Sequence, residues 1–166
     1  MPYAKKKLKS ILNTGSLTAR ASSLIGINYA PHFAIDDKIS EQHSLFFHSQ
    51  SEDYPWLEIT MPEEDYVGGV EIVARWGCCA DRLKNIEIRA GMTRVPDGFK
   101  GQMLEINTEV GEFPGPASNG QTITINFENI VLAKYITLQN MGRGVNLELN
   151  EVRILKGKDF YPFNLY

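Results

Sequence analysis

An all-β, antiparallel β-sandwich or jelly roll is the fold class that the sequence predicts, and three observations predict it. Short runs alternate apolar and polar residues with a period of two, as strands with one buried face do. Glycine- and proline-containing turn formers separate these runs. Helical periodicity nearly disappears after residue 15. Many short strands separated by such turns are typical of an antiparallel sandwich.

The predicted elements follow one another along the chain without a repeat. Residues 1–15 are basic, with a helical pattern over 5–12, and are predicted to be a solvated lead-in or linker. Strands are predicted at residues 56–61, 70–75, 86–89, 121–127, 135–138 and 147–154. Turns are predicted at residues 68–69, 96–98 and 111–120, and the acidic residues 63–65 are predicted to form a solvated loop. The aromatic tail, residues 158–166, is expected to pack on the body or on a neighbour.

Composition limits the classes of function that need to be considered. The chain has 166 residues, of which 43% are hydrophobic and 22% charged, as expected for one globular domain with a filled core. A formal net charge of −3 argues against a partner that presents nucleic-acid phosphates. No stretch approaches the ~20 apolar residues of a membrane span, so membrane insertion is not expected. The basic start is not followed by the long apolar segment of a signal peptide.

The two cysteines are neighbours, Cys78 and Cys79, and they lie between Arg75 and Arg82. Adjacent cysteines can close a vicinal disulfide, which encloses almost no chain and therefore stabilises the fold little through loop-closure entropy. Such a bond does provide a flat apolar plate. A plate flanked by guanidinium donors suits a sugar, which has an apolar face and several oxygen atoms. Two reduced, half-buried thiols are the alternative, whereas a zinc site is poorly supported because it needs three or four ligands at regular spacing.

Five stretches of the sequence resemble the F-type lectins, or fucolectins, which belong to the discoidin-like, galactose-binding-like β-sandwiches. The stretches are residues 34–37, 54–59, 70–72, 78–91 and 149–154. The resemblance covers residues 16–157 and implies a discoidin-like jelly roll. It also implies a lectin that binds a terminal fucose or a related sugar.

The family's sugar-binding pattern is a histidine, 26 further residues, and then Arg-x-Asp-x4-Arg around a vicinal disulfide. His48, Arg75 and Arg82 fit this spacing. Gly77 stands where the pattern has its aspartate, a carboxylate that orients the basic side chains in the family. The resemblance implies that the imidazole of His48, in its neutral form, bonds an axial hydroxyl. The sugar site that it implies consists of His48, Arg75, Arg82, Cys78 and Cys79.

Two further departures from the family pattern concern the surroundings of this site. A second disulfide found in many members is missing in both halves, because its positions hold Phe46 and Asn150. His43 and Glu41 stand where the family often has aromatic residues around the methyl group of fucose, which predicts a more polar pocket. Trp56 is predicted to be a core residue, and Trp76 to be either a pocket wall or part of the packing.

The resemblance also implies a structural calcium ion near the binding loops. Its side-chain ligands would be Asp36 and Glu151, with carbonyl oxygens from Phe33, Lys38, Asn150 and the chain around Ser44 or Leu45. Calcium binds six to eight oxygens, which is the kind of ligand that this set provides.

The predicted function is therefore non-catalytic binding of glycans, and no spacing typical of an enzyme is recognised. Several copies, as a homo-oligomer or as tandem domains, would supply avidity, and the disulfide implies an extracellular or cell-surface location. An interaction or structural module with a silent sugar site is the alternative. In that case the arginines would form surface pairs with Asp81 or Glu87, and His48 would be a partly buried polar residue beside Phe47.

Overall fold

A computed structural model describes residues 14–157 of the chain. The strands are β1 (Thr18–Ala21), β2 (Phe47–His48), β3 (Trp56–Val73), β4 (Ile86–Gly91), β5 (Thr108–Phe113), β6 (Thr122–Asn140), β7 (Glu148–Leu149) and β8 (Glu151–Lys156). Short 3-10 helices occur at Thr14–Ser16, Ile27–Tyr29, Pro31–Ala34 and Ala80–Arg82. The predicted lead-in and the aromatic tail fall almost wholly outside the described residues, and the boundary at residue 15 stays a prediction.

Two long strands, β3 and β6, organise the sandwich. The first half of β3 pairs with β1 and with the second half of β6, and β4 and β5 extend the sheet beyond β6. The second half of β3 pairs instead with β8 and with the first half of β6. A separate pair, β2 with β7, lies outside this sheet. Every one of these strand pairs is antiparallel, so the predicted all-β fold is confirmed.

The predicted break between residues 61 and 70 is wrong, because β3 runs through it as one strand. Gly68 and Gly69 lie at a shift of register between Val67 and Gly69, which is a bulge within the strand and not a turn. Glu63, Glu64 and Asp65 also belong to β3, where a second irregularity interrupts its pairing with β6. Glu63 and Glu64 are exposed, and Asp65 is half-buried. A solvated strand segment and a solvated loop have the same composition, so the sequence does not distinguish them.

Other boundaries also differ from the prediction. The two runs at 121–127 and 135–138 are parts of the single strand β6, and the run at 147–154 is divided into β7 and β8 at Asn150. Strands β1, β2 and β5 have no counterpart among the predicted strands, and residues 111–113 of the predicted turn region lie within β5. Strand β3 ends at Val73, so that Arg75 lies in the following loop.

The main core of the sandwich contains buried residues from both halves of β3 and β6. It includes Ile59 and Ile72 of β3, Ile136 of β6 and Ile154 of β8, each of them buried. A smaller cluster around Trp56, which is buried as predicted, contains Val95 and Leu104. Within residues 14–157, no helix is long and apolar enough to cross a membrane.

Candidate functional site

Four separate segments meet where the proposed sugar-binding residues lie. His48 ends β2, Arg75 lies in the loop after β3, and Arg82 ends the 3-10 helix Ala80–Arg82. Glu148 begins β7 and is the registered strand partner of His48. The β2–β7 pair thus places a carboxylate beside the histidine, and the two loops bring the guanidinium groups to the same point.

Glu148 is the common partner of all three predicted donors. Its Oε1 lies 3.0 Å from Nε2 of His48 and accepts a hydrogen bond from Nη1 of Arg82 at 3.0 Å. Its Oε2 accepts a hydrogen bond from Nη1 of Arg75 at 3.0 Å. The Glu148 side chain is only 2% exposed, whereas that of Arg82 is 49% exposed. Arg82 is therefore the member of the cluster that faces solvent.

The electrostatics of the cluster keep the carboxylate ionised. Burial acts to raise the pKa of Glu148, but the hydrogen bonds and charge from His48, Arg75 and Arg82 outweigh it. The pKa falls from 4.5 to about 2 as a result. At physiological pH the cluster consequently holds one negative charge among side chains that donate toward it.

Two aromatic side chains, Tyr29 and Phe46, pack against the basic side chains that surround Glu148 and are called the aromatic layer here. The guanidinium carbon of Arg75 lies 4.8 Å from the centre of the Phe46 ring, within the range of a cation–π contact. Tyr29 meets the rings of Phe46 and His48 edge-on, at 5.4 and 5.9 Å between ring centres. Phe46, which occupies a position of the family's second disulfide, thus forms the floor beneath Arg75.

The vicinal disulfide between Cys78 and Cys79 is present in the structure. Cys78 is exposed, and Cys79 adopts a left-handed backbone conformation with a φ of 68°. The backbone N–H of Arg82 donates to the carbonyl oxygen of Cys79 at 3.1 Å. The disulfide and Arg82 are thereby parts of one tight turn, which fixes the backbone of Arg82 relative to the disulfide.

Gly77 and His43 form another edge of the site. Gly77 has a φ of +90°, and a Cβ atom placed there would lie 3.2 Å from Cε1 of His43. The hydroxyl of Tyr29 donates to the carbonyl oxygen of His43 at 2.9 Å, which holds the His43 loop against the aromatic layer. Trp76 packs over Gly120, where any Cβ would overlap the indole ring. The Trp76 side chain thus serves the packing of this loop.

Sequence reasoning found the three donors and missed the acid that joins them. Arg75 and Arg82 pair with Glu148, and not with Asp81 or Glu87, the partners considered from sequence. Glu87 pairs with Arg89 instead. The signal for Glu148 was weak, because it stands between two buried leucines in a run that resembles any edge strand.

The residues predicted to hold calcium also come together, at the loop that follows the Pro31–Ala34 helix. Phe33, Asp36, Lys38 and Leu45 line an open depression of about 390 Å³. Burial and the neighbouring carboxyl of Asp36 raise the pKa of Glu151 from 4.5 to about 8. Its Oε2 is buried and has no hydrogen-bond partner among the described residues.

Asn150 closes this loop by a two-way contact with one residue. Its Nδ2 donates to the carbonyl oxygen of Ser40 at 2.8 Å, and its Oδ1 accepts from the N–H of Ser40 at 2.9 Å. Asn150 thus ties the loop to the start of β8, where the family's second disulfide would lie. Across residues 14–157 no group of three or more His, Cys, Asp or Glu side chains is placed so that it could hold a metal ion. A cation here would depend on two carboxylates and on carbonyl oxygens, as calcium sites often do.

Solved structures of sugar-binding modules share this fold. A fucolectin from the serum of Morone saxatilis (striped bass) superposes with a TM-score of 0.77 at 24% identity, over 89% of this chain and 50% of that one. This chain therefore spans about half of the fucolectin chain. A fucose binding module of Streptococcus pneumoniae matches with a TM-score of 0.69 at 22% identity, over 88% of this chain and 96% of that one.

A galactose complex of the family 32 CBM from Clostridium perfringens NanJ matches with a TM-score of 0.68 at 18% identity, over 88% of this chain and 98% of that one. Among curated proteins, no relative matches the sequence. The family model of the F5/8 type C domain matches residues 18–152, which is more than half of the chain. The discoidin-like sandwich expected from the sequence is thus confirmed, and the chain belongs to the F5/8 type C domain family.

Proposed function

We propose that this domain is a non-catalytic lectin that binds a terminal fucose or a related sugar. The observation that supports this proposal is the convergence of His48, Arg75 and Arg82 on one buried carboxylate, beside a vicinal disulfide. The spacing of these residues is that of the F-type lectin pattern. The solved relatives of the same fold include modules named for fucose binding and one in complex with galactose.

The chemistry of the site suits a sugar hydroxyl or ring oxygen. Glu148 accepts a hydrogen bond from one terminal nitrogen of Arg82. The guanidinium is half-exposed, and its other N–H donors can reach a ligand. The disulfide in the same turn offers a soft apolar surface to the opposite face of the sugar. A single shallow site of this kind binds with a Kd of roughly micromolar to millimolar.

Weak single sites have consequences for how such a lectin works. Useful avidity needs several copies, either as an oligomer of this chain or as tandem domains. The vicinal disulfide favours an oxidising environment, outside the cell or at its surface. We include both points in the proposal.

A silent site in a protein-interaction module is the second candidate, and one observation favours it. Gly77 replaces the acid of the family pattern, and the His43 ring occupies the space next to it. A pocket changed in this way could have lost its sugar while keeping the sandwich for another partner. Direct titration with sugars separates the two candidates.

Titration calorimetry with L-fucose and with D-galactose tests the proposal, with Arg82→Ala alongside. We expect saturable binding of at least one sugar, weakened at least about tenfold in the variant because a charged donor to the ligand is lost. Arg94→Ala is the matched control, since its side chain is 48% exposed and pairs with Asp97 away from the site. Equal binding by the wild type and Arg82→Ala would contradict the assigned site, and no binding of either sugar would favour the interaction module.

We further propose that calcium binds between Asp36 and Glu151. Two carboxyl groups lie together there, and the buried Oε2 of Glu151 lacks a partner within the described part of the chain. Asp36 and Glu151 would supply the charged oxygens, and the carbonyls of Phe33, Lys38 and Asn150 the neutral ones. Bound calcium would neutralise the two acids and hold the loop that leads to His43.

Thermal unfolding in EDTA and then in excess calcium tests this proposal. A hundredfold excess over the Kd adds about 2.7 kcal/mol, which raises the Tm of a domain of this size by about 5 to 10 °C. Glu151→Gln should lose the calcium response, and magnesium, which prefers a smaller octahedral site, should replace calcium poorly. An unchanged Tm at millimolar calcium would show that no such site exists.

A further inference from the structure

The family pattern has an acid at the position of Gly77, where the backbone of this chain is unfavourable for one. The φ of Gly77 is +90°, a backbone conformation that residues other than glycine rarely adopt. A Cβ atom would lie 3.2 Å from Cε1 of His43, so any side chain would also have to move that ring. Aspartate at position 77 would thus be strained by both the backbone and its neighbour.

Glu148 is in direct contact with the basic side chains of the site. It receives hydrogen bonds from Arg75 and Arg82 through separate oxygen atoms, at 3.0 Å each. The Glu148 side chain is 2% exposed, which leaves a ligand almost no access to its carboxylate. An acid in this position can orient the donors without competing with them for the sugar.

We propose that Glu148 is the positioning residue of this site and orients the basic side chains in place of the acid that the family pattern has at position 77. It acts through His48, Arg75 and Arg82 and does not itself touch the ligand. The inference rests on the proposed sugar-binding function, since it concerns how the donors of that site are held.

The histidine gives this proposal a second, independent consequence. Nδ1 of His48 lies 2.7 Å from the carbonyl oxygen of Ser49, and its Nε2 lies 3.0 Å from Oε1 of Glu148. Both neighbours are acceptors, because a carbonyl oxygen has no proton and Glu148 is ionised. Both ring nitrogens therefore face an acceptor oxygen, and the contact of Nε2 depends on Glu148.

Glu148 is also the group that connects His48 with the two arginines. Arg75 and Arg82 bond to the same carboxylate. Glu148 is the anion that the ring contacts, whereas Tyr29 meets the ring edge-on. Removing the negative charge should consequently weaken the contacts of all three side chains.

Glu148→Gln tests the proposal, since it keeps the shape of the side chain and removes its charge. We expect sugar affinity to fall at least about tenfold, because a neutral amide holds the two guanidinium groups less firmly than a carboxylate does. The NMR shifts of the His48 ring nitrogens should also differ between the wild type and the variant, because Nε2 loses its anionic partner. A purely structural role for Glu148 would leave sugar affinity unchanged once the variant is folded.

Two further variants make the result specific. Glu58→Gln is the matched control, because Glu58 is a fully buried acid paired with Arg20 near the start of β3. It should lower stability and leave sugar binding by the folded protein unchanged. Glu148→Asp keeps the charge on a shorter side chain, so affinity should fall less than in Glu148→Gln; this variant serves if Glu148→Gln does not fold.

The outcomes separate this inference from the proposed function. Wild type that binds a sugar, with Glu148→Gln binding within about twofold of it, a difference of roughly 0.4 kcal/mol, would overturn the role of Glu148 alone. Wild type that binds no sugar would overturn the proposed function, and the His48 ring signal would then decide whether Glu148 controls the histidine. An identical ring signal in wild type and Glu148→Gln overturns the inference in either case.

Discussion

Arg75→Ala is expected to abolish measurable sugar binding and to lower the free energy of unfolding by about 3 to 5 kcal/mol. The Arg75 side chain is only 11% exposed, donates to Glu148 and lies over the ring of Phe46. Its removal leaves a buried carboxylate with one counter-charge fewer and leaves a gap above the aromatic floor. Affinity should fall at least about a hundredfold, as for other truncated members of buried charge pairs. Calorimetry measures the affinity, and denaturant unfolding measures the stability.

Arg89→Ala is the matched control for this prediction. Arg89 is 18% exposed and pairs with Glu87 on β4, outside the His48–Arg75–Arg82 site. Its loss should cost about 1 kcal/mol of stability and leave affinity for the sugar unchanged. Retained affinity in a folded Arg75→Ala protein would contradict the arrangement of donors described above.

Removal of the vicinal disulfide is expected to reduce binding far more than stability. A bond between adjacent residues closes so short a loop that the chain-entropy model gives it only about 1 kcal/mol. Loss of the apolar plate and of the rigid turn that holds Arg82 should weaken sugar binding about tenfold. The double variant Cys78→Ala/Cys79→Gly removes the bond, and glycine is chosen because residue 79 has a φ of 68°.

A reductant provides the control for the disulfide prediction. It should weaken binding by the wild type and leave the double variant unaffected, because the chain has no other cysteine. Thermal unfolding of the variant should lie within about 2 to 4 °C of the wild type. Binding by the double variant at wild-type affinity would exclude the disulfide from the site.

The grouping of His48, Arg75 and Arg82 could be predicted from the sequence, because spacing along the chain is what the family pattern records. His48, Arg75 and Arg82 lie on three segments that the fold brings together, and the pattern preserves that arrangement as residue counts. Glu148 has no place in the pattern. Its contact with His48 depends on the pairing of β2 with β7, which are far apart in the chain and only two residues long.

The strand boundaries also depend on contacts between residues that are far apart in the chain, which the local sequence does not show. Gly68 and Gly69 are residues typical of turns, yet they lie in the bulge that lets β3 pair with β8 and with β6. A bulge and a turn favour the same residue types, and only long-range pairing distinguishes them. The all-β class could be predicted because alternation of buried and exposed residues survives such interruptions, as it does at Ile123 and Ile125 of β6.

A glycan array probed with oxidised, multimerised protein tests the central claim most directly. We predict binding to glycans that end in fucose or a related sugar, with competition by the free monosaccharide and loss of binding in Arg82→Ala. Multimerisation matters because a weak single site would otherwise be missed. Absence of binding to every glycan by the folded, oxidised and multimerised protein would contradict the lectin assignment.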